Sequence, residues 1–194
     1  MTKGRLIVFS APSGCGKGTM LAEILKDNKF HLSVSATTRK PRKGEKDGIH
    51  YHFITVEDFR KKIDEGAFFE YACYCENYYG TLNSEVEGYL EKGINVILEI
   101  EVQGASKIRE IRPDALFIFV VPPSVQELRR RLNKRGTESQ EVIEKRIAQA
   151  SEEMKFSKKY DYVIVNADLK DAVDDFNAII RADSLRSVFW EENN

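Results

Sequence analysis

A glycine-rich segment between a strand pattern and a helix pattern constrains the fold of this chain more than any other feature. Residues 6–9 form a continuous apolar run, Leu-Ile-Val-Phe, which is typical of a buried strand. The segment at 11–19, Ala-Pro-Ser-Gly-Cys-Gly-Lys-Gly-Thr, follows, and apolar residues at helical spacing begin at Leu21. A strand, a glycine-rich turn and a helix in this order predict a phosphate-binding loop.

Short apolar segments and helical segments alternate along most of the remaining chain. Strand patterns at 94–100, 115–121 and 162–165 are each followed by apolar residues at helical spacing. Nearly all-apolar strands that alternate with helices predict an α/β fold whose parallel sheet is covered on both faces. Residues 35–82 interrupt this pattern with polar and aromatic residues in short mixed segments, and we interpret them as an inserted substrate lobe.

Composition and charge exclude several classes of protein. The formal net charge is -1, so the chain lacks the basic field of a nucleic-acid binder. No apolar run approaches the ~18 residues of a membrane span. The cysteines Cys15, Cys73 and Cys75 fit neither a disulfide framework nor a zinc site, which favours a reducing compartment. We therefore expect a cytoplasmic protein without a signal peptide and with no nucleic-acid or membrane partner.

The chemistry of the glycine-rich loop suits a nucleotide. Glycine lets the backbone N–H groups turn inward around a phosphate, and Lys17 adds a charge that reaches the β and γ phosphates. A glycine-rich turn without a nucleotide is the alternative. Because Cys15 lies in this loop, we also expect the protein to be sensitive to alkylation of this thiol and ATP to protect it. The residues expected to bind ATP here are Ala11, Pro12, Ser13, Gly14, Cys15, Gly16, Lys17, Gly18 and Thr19.

The loop departs from the pattern G-x-x-x-x-G-K-[ST] in a way that affects the metal. Its first glycine is replaced by Ala11, and Gly18 stands where a hydroxyl would bind magnesium. Thr19 comes one residue late, so we expect it to contact phosphate or to cap the helix. The Gly-Lys-Gly-Thr ending resembles that of adenylate kinases, which implies Mg²⁺ bound with ATP through phosphate oxygens, water and Glu99.

A basic segment at 35–43, Ser-Ala-Thr-Thr-Arg-Lys-Pro-Arg-Lys, indicates a second anion site. Lys40 precedes a proline, which biases it toward an extended backbone. In a polyproline-like segment three residues make one turn, so Arg39 and Arg42 project to the same side. Two guanidinium groups on one side suit a phosphate, and a solvated basic loop is the alternative.

The chain resembles the guanylate kinase family in an ordered set of segments. The set comprises the S-x-T-T-R-x-P-R stretch from Ser35, Tyr51, Phe69-Glu70, Asn77–Thr81 and Glu99–Gly104. By this resemblance the GMP phosphate is bound by Arg39, Arg42, Tyr51 and Tyr79, and guanine is faced by Ser35, Glu70, Thr81 and Glu101. The family often has Asp-x-Asp where this chain has Glu99 and Glu101, so the reach of these carboxylates differs.

The chemistry of guanine supports the assignment of Glu70. Guanine presents a ring N–H and an amino group on adjacent atoms, and one carboxylate can accept from both. Adenine has an unprotonated nitrogen at the corresponding place and would leave the carboxylate unpaired. Sites built to hydrogen-bond a substrate reject an unpaired analogue by roughly 10⁴-fold or more.

Arginines that follow the 115–121 strand pattern predict a lid over the phosphates. Arg131 and Arg135 are four residues apart and share one face of a helix that opens with a predicted capping box, Ser124 to Glu127. Arg146 follows on the next helix. A basic solvated helix is the alternative, but the resemblance implies that all three arginines act with Lys17 in catalysis. It also implies that Asn166 contacts adenine.

Together the residues and the resemblance predict a P-loop NTPase-type three-layer α/β fold with an inserted mixed α+β GMP-binding lobe and a helical lid. The predicted guanylate-kinase-like domain spans 4–185, with a core at 4–34, 83–121 and 160–190, the lobe at 35–82 and the lid at 122–159. The implied reaction is ATP + GMP → ADP + GDP, at two anion pockets that face one cleft. A non-catalytic interaction module and a kinase for another monophosphate are the alternatives. The sequence leaves open whether the protein is a monomer or a homo-oligomer.

Overall fold

The structure, a computed structural model, describes residues 3–42, 44–74, 76–135 and 139–191. The strands are β1 Leu6–Ser10, β2 Phe30–Leu32, β3 Ala36–Thr37, β4 His52–Phe53, β5 Phe68–Tyr74, β6 Asn77–Leu82, β7 Asn95–Glu99, β8 Leu116–Val121 and β9 Tyr162–Val165. The α-helices are α1 Lys17–Ile24, α2 Val56–Asp64, α3 Glu87–Leu90, α4 Val102–Ile111, α5 Val125–Arg135, α6 Gln140–Met154, α7 Leu169–Asp183 and α8 Val188–Glu191.

The strands form a five-stranded sheet in the order β2-β7-β1-β8-β9 and a four-stranded sheet in the order β4-β3-β6-β5. The pairs β2–β7 and β8–β9 are parallel, as predicted for apolar strands that alternate with helices. All residues of β1 are buried, because both faces of a central parallel strand are covered. The α/β fold predicted from the alternating pattern is confirmed.

The chain divides into two compact units. The first unit holds residues 3–8 and 28–115, and the second holds residues 9–27 and the chain from 116 onward. This division does not coincide with the predicted core, lobe and lid, and those boundaries stay a prediction. Among the residues that the structure describes, no helix combines the length and the apolar character needed to cross a membrane.

In the first unit, α2 covers one face of the four-stranded sheet. Its buried Phe59 ring stacks on Phe68 of β5 at 4.2 Å between centroids and on Tyr78 of β6 at 5.3 Å. Thr55 begins the helix because its side chain accepts a hydrogen bond from the N–H of Asp58. This aromatic cluster holds β5 and β6 in place from one side and leaves their other face available for a site.

In the second unit, helices pack on the end of β1 and on the loop that follows it through aromatic and aliphatic contacts. Phe9 and Phe176 of α7 are both fully buried, and their rings meet edge to face at 5.7 Å. A separate buried cluster joins Cys15 to α5 and α6 through Leu128, Leu132, Ile143, Ile147 and Ala150. The loop at 11–16 is therefore anchored by a hydrophobic residue in its own sequence.

The predicted capping box at the start of α5 forms only in part. The hydroxyl of Ser124 accepts a hydrogen bond from the N–H of Glu127 at 3.0 Å, as predicted. The Glu127 carboxylate, however, accepts from the guanidinium groups of Arg130 and Arg131, so its predicted reach back to Ser124 is wrong. Two charged donors on the same helix bind the carboxylate more strongly than one neutral N–H group would.

Candidate functional site

The first unit contains a cavity of about 300 Å³ against the free face of the four-stranded sheet. The predicted acceptor-site and metal residues that line it are Ser35, Arg39, Arg42, Tyr51, Glu70, Tyr79, Glu99 and Glu101. These residues come from separate segments between 35 and 101, and the fold brings them together. The chemistry within the cavity differs from place to place, since Glu70 contributes a carboxylate while Arg39, Arg42, Tyr51 and Tyr79 contribute guanidinium and phenol groups.

A β-bulge in β5 puts Glu70 on the cavity side of the sheet. Phe68 pairs with Leu82 of β6, but Glu70 pairs with Thr81, so one extra residue, Phe69, is inserted in β5. Residues directly opposite one another share a face of a sheet. Without the bulge, Glu70 would share a face with Phe68 and the aromatic cluster. The sequence gives no local signal for this insertion, and the prediction missed it.

Thr81 holds the Glu70 carboxylate from the neighbouring strand. Its hydroxyl donates to Glu70 Oε1 at 3.0 Å, and the Thr81 side chain is fully buried. Burial raises the pKa of the Glu70 carboxyl, while the Thr81 hydrogen bond and the Lys107 charge oppose that rise. The predicted contact of Thr81 with guanine stays a prediction, and the observed role of its hydroxyl is to orient Glu70.

The basic end of the cavity is already paired with an acidic residue that the sequence analysis did not identify. Glu45 accepts hydrogen bonds from both terminal nitrogens of Arg39, at 2.9 and 3.0 Å, and from the N–H of Arg42 at 2.6 Å. The hydrogen bond from Arg39 is the main reason that the pKa of the Glu45 carboxyl is lowered. A turn links Arg42 to Glu45, since the N–H of Glu45 donates to the carbonyl of Arg42. The sequence did contain a signal for this pairing, since opposite charges lie on either side of a turn that contains glycine.

Two tyrosines complete this end of the cavity. The Arg39 guanidinium lies 5.5 Å from the ring centroid of Tyr51, and the rings of Tyr51 and Tyr79 are 6.1 Å apart. Burial raises the pKa of Tyr51, so its hydroxyl stays protonated at neutral pH and can donate to an anion. Arg39, Arg42, Tyr51 and Tyr79 therefore form a donor-rich pocket of the kind that a phosphate requires.

Glu99 and Glu101 lie at the end of β7 and the start of α4. Glu99 is the last residue of the strand and is exposed, and Glu101 is the N-cap residue of the helix. Within the described ranges, no group of three or more His, Cys, Asp or Glu side chains is arranged to hold a metal ion. Glu99 and Glu101 fit an Mg²⁺ ion that takes most of its ligands from phosphate and water. The end of β7 and the start of α4 would each supply at most one carboxylate.

In the second unit, the glycine-rich loop has the backbone geometry that its sequence predicts. Gly14 and Gly16 have φ values of 93° and 86°, a left-handed region that strongly favours glycine. Helix α1 begins at Lys17, directly after the loop, so its N-terminal N–H groups face the loop. The N-cap residue is Gly16 and Thr19 lies inside the first turn, so the alternative that Thr19 caps the helix is wrong.

Arg131 and Asn166 bind the loop backbone from outside. The Asn166 amide donates to the carbonyl of Cys15 at 2.8 Å, and Arg131 donates to that carbonyl and to the carbonyl of Asn166. A second cavity, of about 520 Å³, lies at this position and is lined by Gly14, Gly16, Thr19, Arg130, Arg131, Lys134, Asn166, Ala167 and Leu169. The contact of Asn166 with adenine stays a prediction.

The predicted lid arginines differ in what the structure describes. Arg146 of α6 donates to the hydroxyl of Ser13, so the helix after α5 also reaches the glycine-rich loop. Arg131 contacts the loop backbone, and Glu127 orients its guanidinium through a hydrogen bond of 2.8 Å to Nε. The side chain of Arg135 lies outside the described residues, and its role stays a prediction.

Cys15 is a packing residue, which contradicts the expectation that its thiol is readily alkylated. The side chain is fully buried, and burial raises the pKa of the thiol to about 12. Only the thiolate is nucleophilic, so the thiol is almost entirely unreactive at neutral pH. The carbonyl of Cys15, and not its sulfur, makes the polar contacts of this residue with Arg131 and Asn166.

Comparison with known proteins agrees with the geometry. A sequence model described as guanylate kinase matches residues 3–183. A guanylate kinase of Clostridioides difficile (strain 630) is 51% identical over 182 residues, which cover 93% of this chain and 89% of that protein. A guanylate kinase of Vibrio parahaemolyticus serotype O3:K6 (strain RIMD 2210633) is 51% identical over 189 residues, which cover 96% of this chain and 91% of that protein.

A solved structure supports the same assignment. The crystal structure of guanylate kinase from Anaplasma phagocytophilum superposes with a TM-score of 0.77 at 35% sequence identity. The match covers 95% of this chain and 88% of that one. Residues 3–183, which the guanylate kinase sequence model matches, include the residues that line both cavities, the glycine-rich loop and the arginines of α5 and α6. The chain therefore belongs to the guanylate kinase family.

Proposed function

We propose that this chain transfers the γ-phosphoryl group of ATP to GMP and releases ADP and GDP. The observation that carries the proposal is the first cavity, where an oriented carboxylate, Glu70, and a pocket of arginines and tyrosines line the same space. A purine monophosphate has complementary chemistry, since it carries hydrogen-bond donors on its base and a dianion at its other end. The family membership supports ATP as the donor.

Glu70 is the proposed reader of guanine. Its carboxylate accepts from the ring N–H and the exocyclic amine, while Thr81 occupies its Oε1 from the opposite side. Ser35 and Glu101 line the same cavity and are proposed to complete the base site. A buried carboxylate left without donors costs about 1–3 kcal/mol or more, and this cost is what rejects adenine.

Arg39, Arg42, Tyr51 and Tyr79 are the proposed ligands of the GMP phosphate. Because Glu45 already binds the Arg39 guanidinium, the arginine is held extended before substrate arrives. The Glu45 carboxylate competes with phosphate for the Arg39 guanidinium. GMP binding therefore requires either that the Arg39–Glu45 pair rearranges or that Arg39 binds both Glu45 and the phosphate. The remaining donors, Arg42 and the tyrosine hydroxyls, need no such exchange.

The glycine-rich loop is the proposed site of the ATP phosphates. The loop amides and the N-terminus of α1 favour negative charge, and Lys17 adds a cation at the first position of that helix. Arg131 and Arg146 contact the loop at Cys15 and Ser13, where they can neutralise charge that develops on the transferred group. Asn166 is proposed to contact adenine, beside the carbonyl of Cys15.

The proposed reaction is a direct in-line transfer without a protein nucleophile. Phosphoryl transfer depends mainly on positioning and charge stabilisation, and arginines contribute roughly 10³–10⁵ in rate. The attacking phosphate oxygen of GMP is already ionised at neutral pH, so no general base is needed. Mg²⁺ bound with ATP supplies charge neutralisation at the phosphates, and Glu99 is proposed to contact it through water.

A panel of nucleoside monophosphates tests the proposal. The purified protein is given ATP and Mg²⁺ with GMP, AMP, CMP or UMP in turn, and ADP release is measured. We expect turnover with GMP far above that with the others. Absence of turnover with every acceptor, together with GMP binding, would identify a non-catalytic module, and a preference for another acceptor would identify a different monophosphate kinase.

A variant of Lys17 separates the proposed ATP site from the proposed GMP site. Lys17→Ala should remove turnover while GMP binding, measured by calorimetry, stays close to that of the wild type. Lys26→Ala is the matched control, because Lys26 is an exposed lysine paired with Glu23 just after α1. Unchanged turnover in Lys17→Ala would contradict the assignment of ATP to the loop. We further propose that the reaction takes place in the cytoplasm, which the cysteine content supports.

A further inference from the structure

Lys107 of α4 forms a hydrogen bond that none of the proposed substrate contacts requires. Its ammonium donates to the carbonyl of Tyr71 at 2.7 Å and lies 5.9 Å from the centroid of the Tyr71 ring. Tyr71 is the residue directly after Glu70 in β5. The exposed end of a lysine side chain therefore ties a helix to the backbone beside the proposed guanine reader.

This stretch of β5 needs support from outside the sheet. The bulge at Phe69 directly precedes Glu70, and a bulge disrupts the ladder of hydrogen bonds locally. On the other side of Glu70, the Tyr71 carbonyl is held by Lys107. The backbone that aims Glu70 is thus bounded by an irregular strand segment on one side and by an interaction with α4 on the other.

The same face of α4 also borders the Glu70 carboxylate. Gly104 lies three residues before Lys107, and residues at this spacing are neighbours on one helix face. A Cβ atom at Gly104 would lie 3.6 Å from Glu70 Oε2, so the helix approaches the carboxylate closely at this point. Lys107 therefore presents its charge from the helix face that covers Glu70.

The charge of Lys107 opposes the effect of burial on Glu70. Burial raises the pKa of Glu70, and Lys107 is the charged side chain that acts against this rise. The other titratable groups that line the cavity are Arg39, Arg42, Tyr51, Cys73, Tyr79, Glu99 and Glu101. The arginines lie at the phosphate end with Glu45, and the glutamates carry the same sign as Glu70.

We propose that Lys107 is a positioning residue for guanine recognition, which fixes the β5 backbone beside Glu70 and places a positive charge on the helix face that covers that carboxylate. The inference rests on the proposed function, since it presumes that Glu70 reads guanine. Only the ionised carboxylate accepts from both donors of the base, because a protonated carboxyl has one oxygen committed as a donor.

The test compares Lys107→Met, Lys107→Arg and Lys92→Met with the wild type. Methionine keeps the length of the side chain and removes its charge and donors, whereas arginine keeps both. Lys92 is a matched control, since it is also exposed and its ammonium lies 5.5 Å from the centroid of a tyrosine ring, that of Tyr89. KM values for GMP and ATP, and GMP affinity by calorimetry, are measured from about pH 5.5 to 8.

We expect Lys107→Met to raise KM for GMP by about two- to fivefold at neutral pH without changing KM for ATP. The pH below which GMP affinity falls should move upward, because the Glu70 carboxyl protonates more easily without Lys107. The phosphate of GMP also titrates near pH 6, but equally for every variant, so the difference between variants reports on the protein. Lys107→Arg and Lys92→Met should behave as the wild type.

Two results overturn the inference. One is a Lys107→Met profile whose acidic limb coincides with that of the wild type, even if KM changes, since a merely structural role would do this. The other is an equal shift in Lys92→Met. If the wild type itself fails to phosphorylate GMP, the proposed function fails first, and this outcome is recognised in the same experiment.

Discussion

Two glycines in the phosphate loop should respond oppositely to the same substitution. Gly16 has a φ of 86°, and a Cβ atom there would lie 2.5 Å from Asn166 Nδ2. Gly18 lies in the first turn of α1, and a Cβ atom there would meet nothing within 4 Å. Gly16→Ala should therefore destabilise the protein, and Gly18→Ala should stabilise it slightly.

The expected magnitudes follow from these contacts. A left-handed backbone costs alanine about 1–2 kcal/mol. Displacing Asn166 breaks its 2.8 Å hydrogen bond to the carbonyl of Cys15, and leaving such a buried group unpaired costs about 1–3 kcal/mol. Gly16→Ala should thus lower the free energy of unfolding by about 2–5 kcal/mol, whereas Gly18→Ala should raise it by about 0.5–1 kcal/mol through helix propensity.

Thermal and urea unfolding without nucleotide provide the assay. For a chain of this size, about 1 kcal/mol shifts Tm by about 2–4 °C, so Gly16→Ala should lower Tm by about 4–20 °C. In an Asn166→Ala background the same substitution should cost only the backbone part of its effect, about 1–2 kcal/mol, because the colliding amide is gone. The reasoning is refuted if Gly16→Ala and Gly18→Ala are equally stable, or if the two effects at Gly16 and Asn166 simply add.

Four further predictions concern individual residues. Glu70→Gln should lower kcat/KM for GMP by about 10²-fold or more relative to AMP, measured by ADP release; equal discrimination before and after would contradict its role. Burial raises the pKa of Glu70 in the folded protein, so its negative charge opposes folding at neutral pH. Glu70→Gln should therefore be more stable than the wild type at neutral pH when unfolding is followed in urea. The difference in stability should shrink as the pH falls through the folded pKa. In mass spectrometry after iodoacetamide, exposed Cys73 should be alkylated and buried Cys15 should not, with or without ATP; equal labelling would refute the burial argument. Gly80→Ala should destabilise by about 1–3 kcal/mol, since a Cβ atom there would lie 2.9 Å from the Glu70 carbonyl oxygen, and a Tm equal to that of the wild type would contradict this.

Local patterns in the sequence were sufficient for the elements and for the phosphate loop. The apolar runs at Leu6–Ser10 and Leu116–Val121 are strands, and Gly14 and Gly16 adopt the left-handed conformation that a phosphate loop needs. The helix cap at Ser124, which accepts from the N–H of Glu127, was likewise predicted. These features depend on residues within a few positions of one another. Periodicity and composition are local properties of the sequence, so they can predict such features.

Competing interactions account for what the sequence did not predict. Glu127 was expected to complete a capping box but binds arginines one turn later, because charged donors compete successfully with a backbone N–H. Cys15 was expected to be reactive because of its place in the loop, but leucines and isoleucines of α5 and α6 bury it. The burial of Cys15 is not visible without knowing which helices cover the loop.

Periodicity and motifs establish that this chain alternates strands and helices, carries a phosphate loop and has a second basic segment suited to an anion. The direction of the Glu70 side chain depends on the folded structure, because the extra residue at Phe69 reverses the faces of β5 and has no local signature. The same holds for Lys107, whose contact with Tyr71 joins residues 36 positions apart. Chain folding creates such proximities through packing of whole elements, and sequence patterns record only the elements themselves.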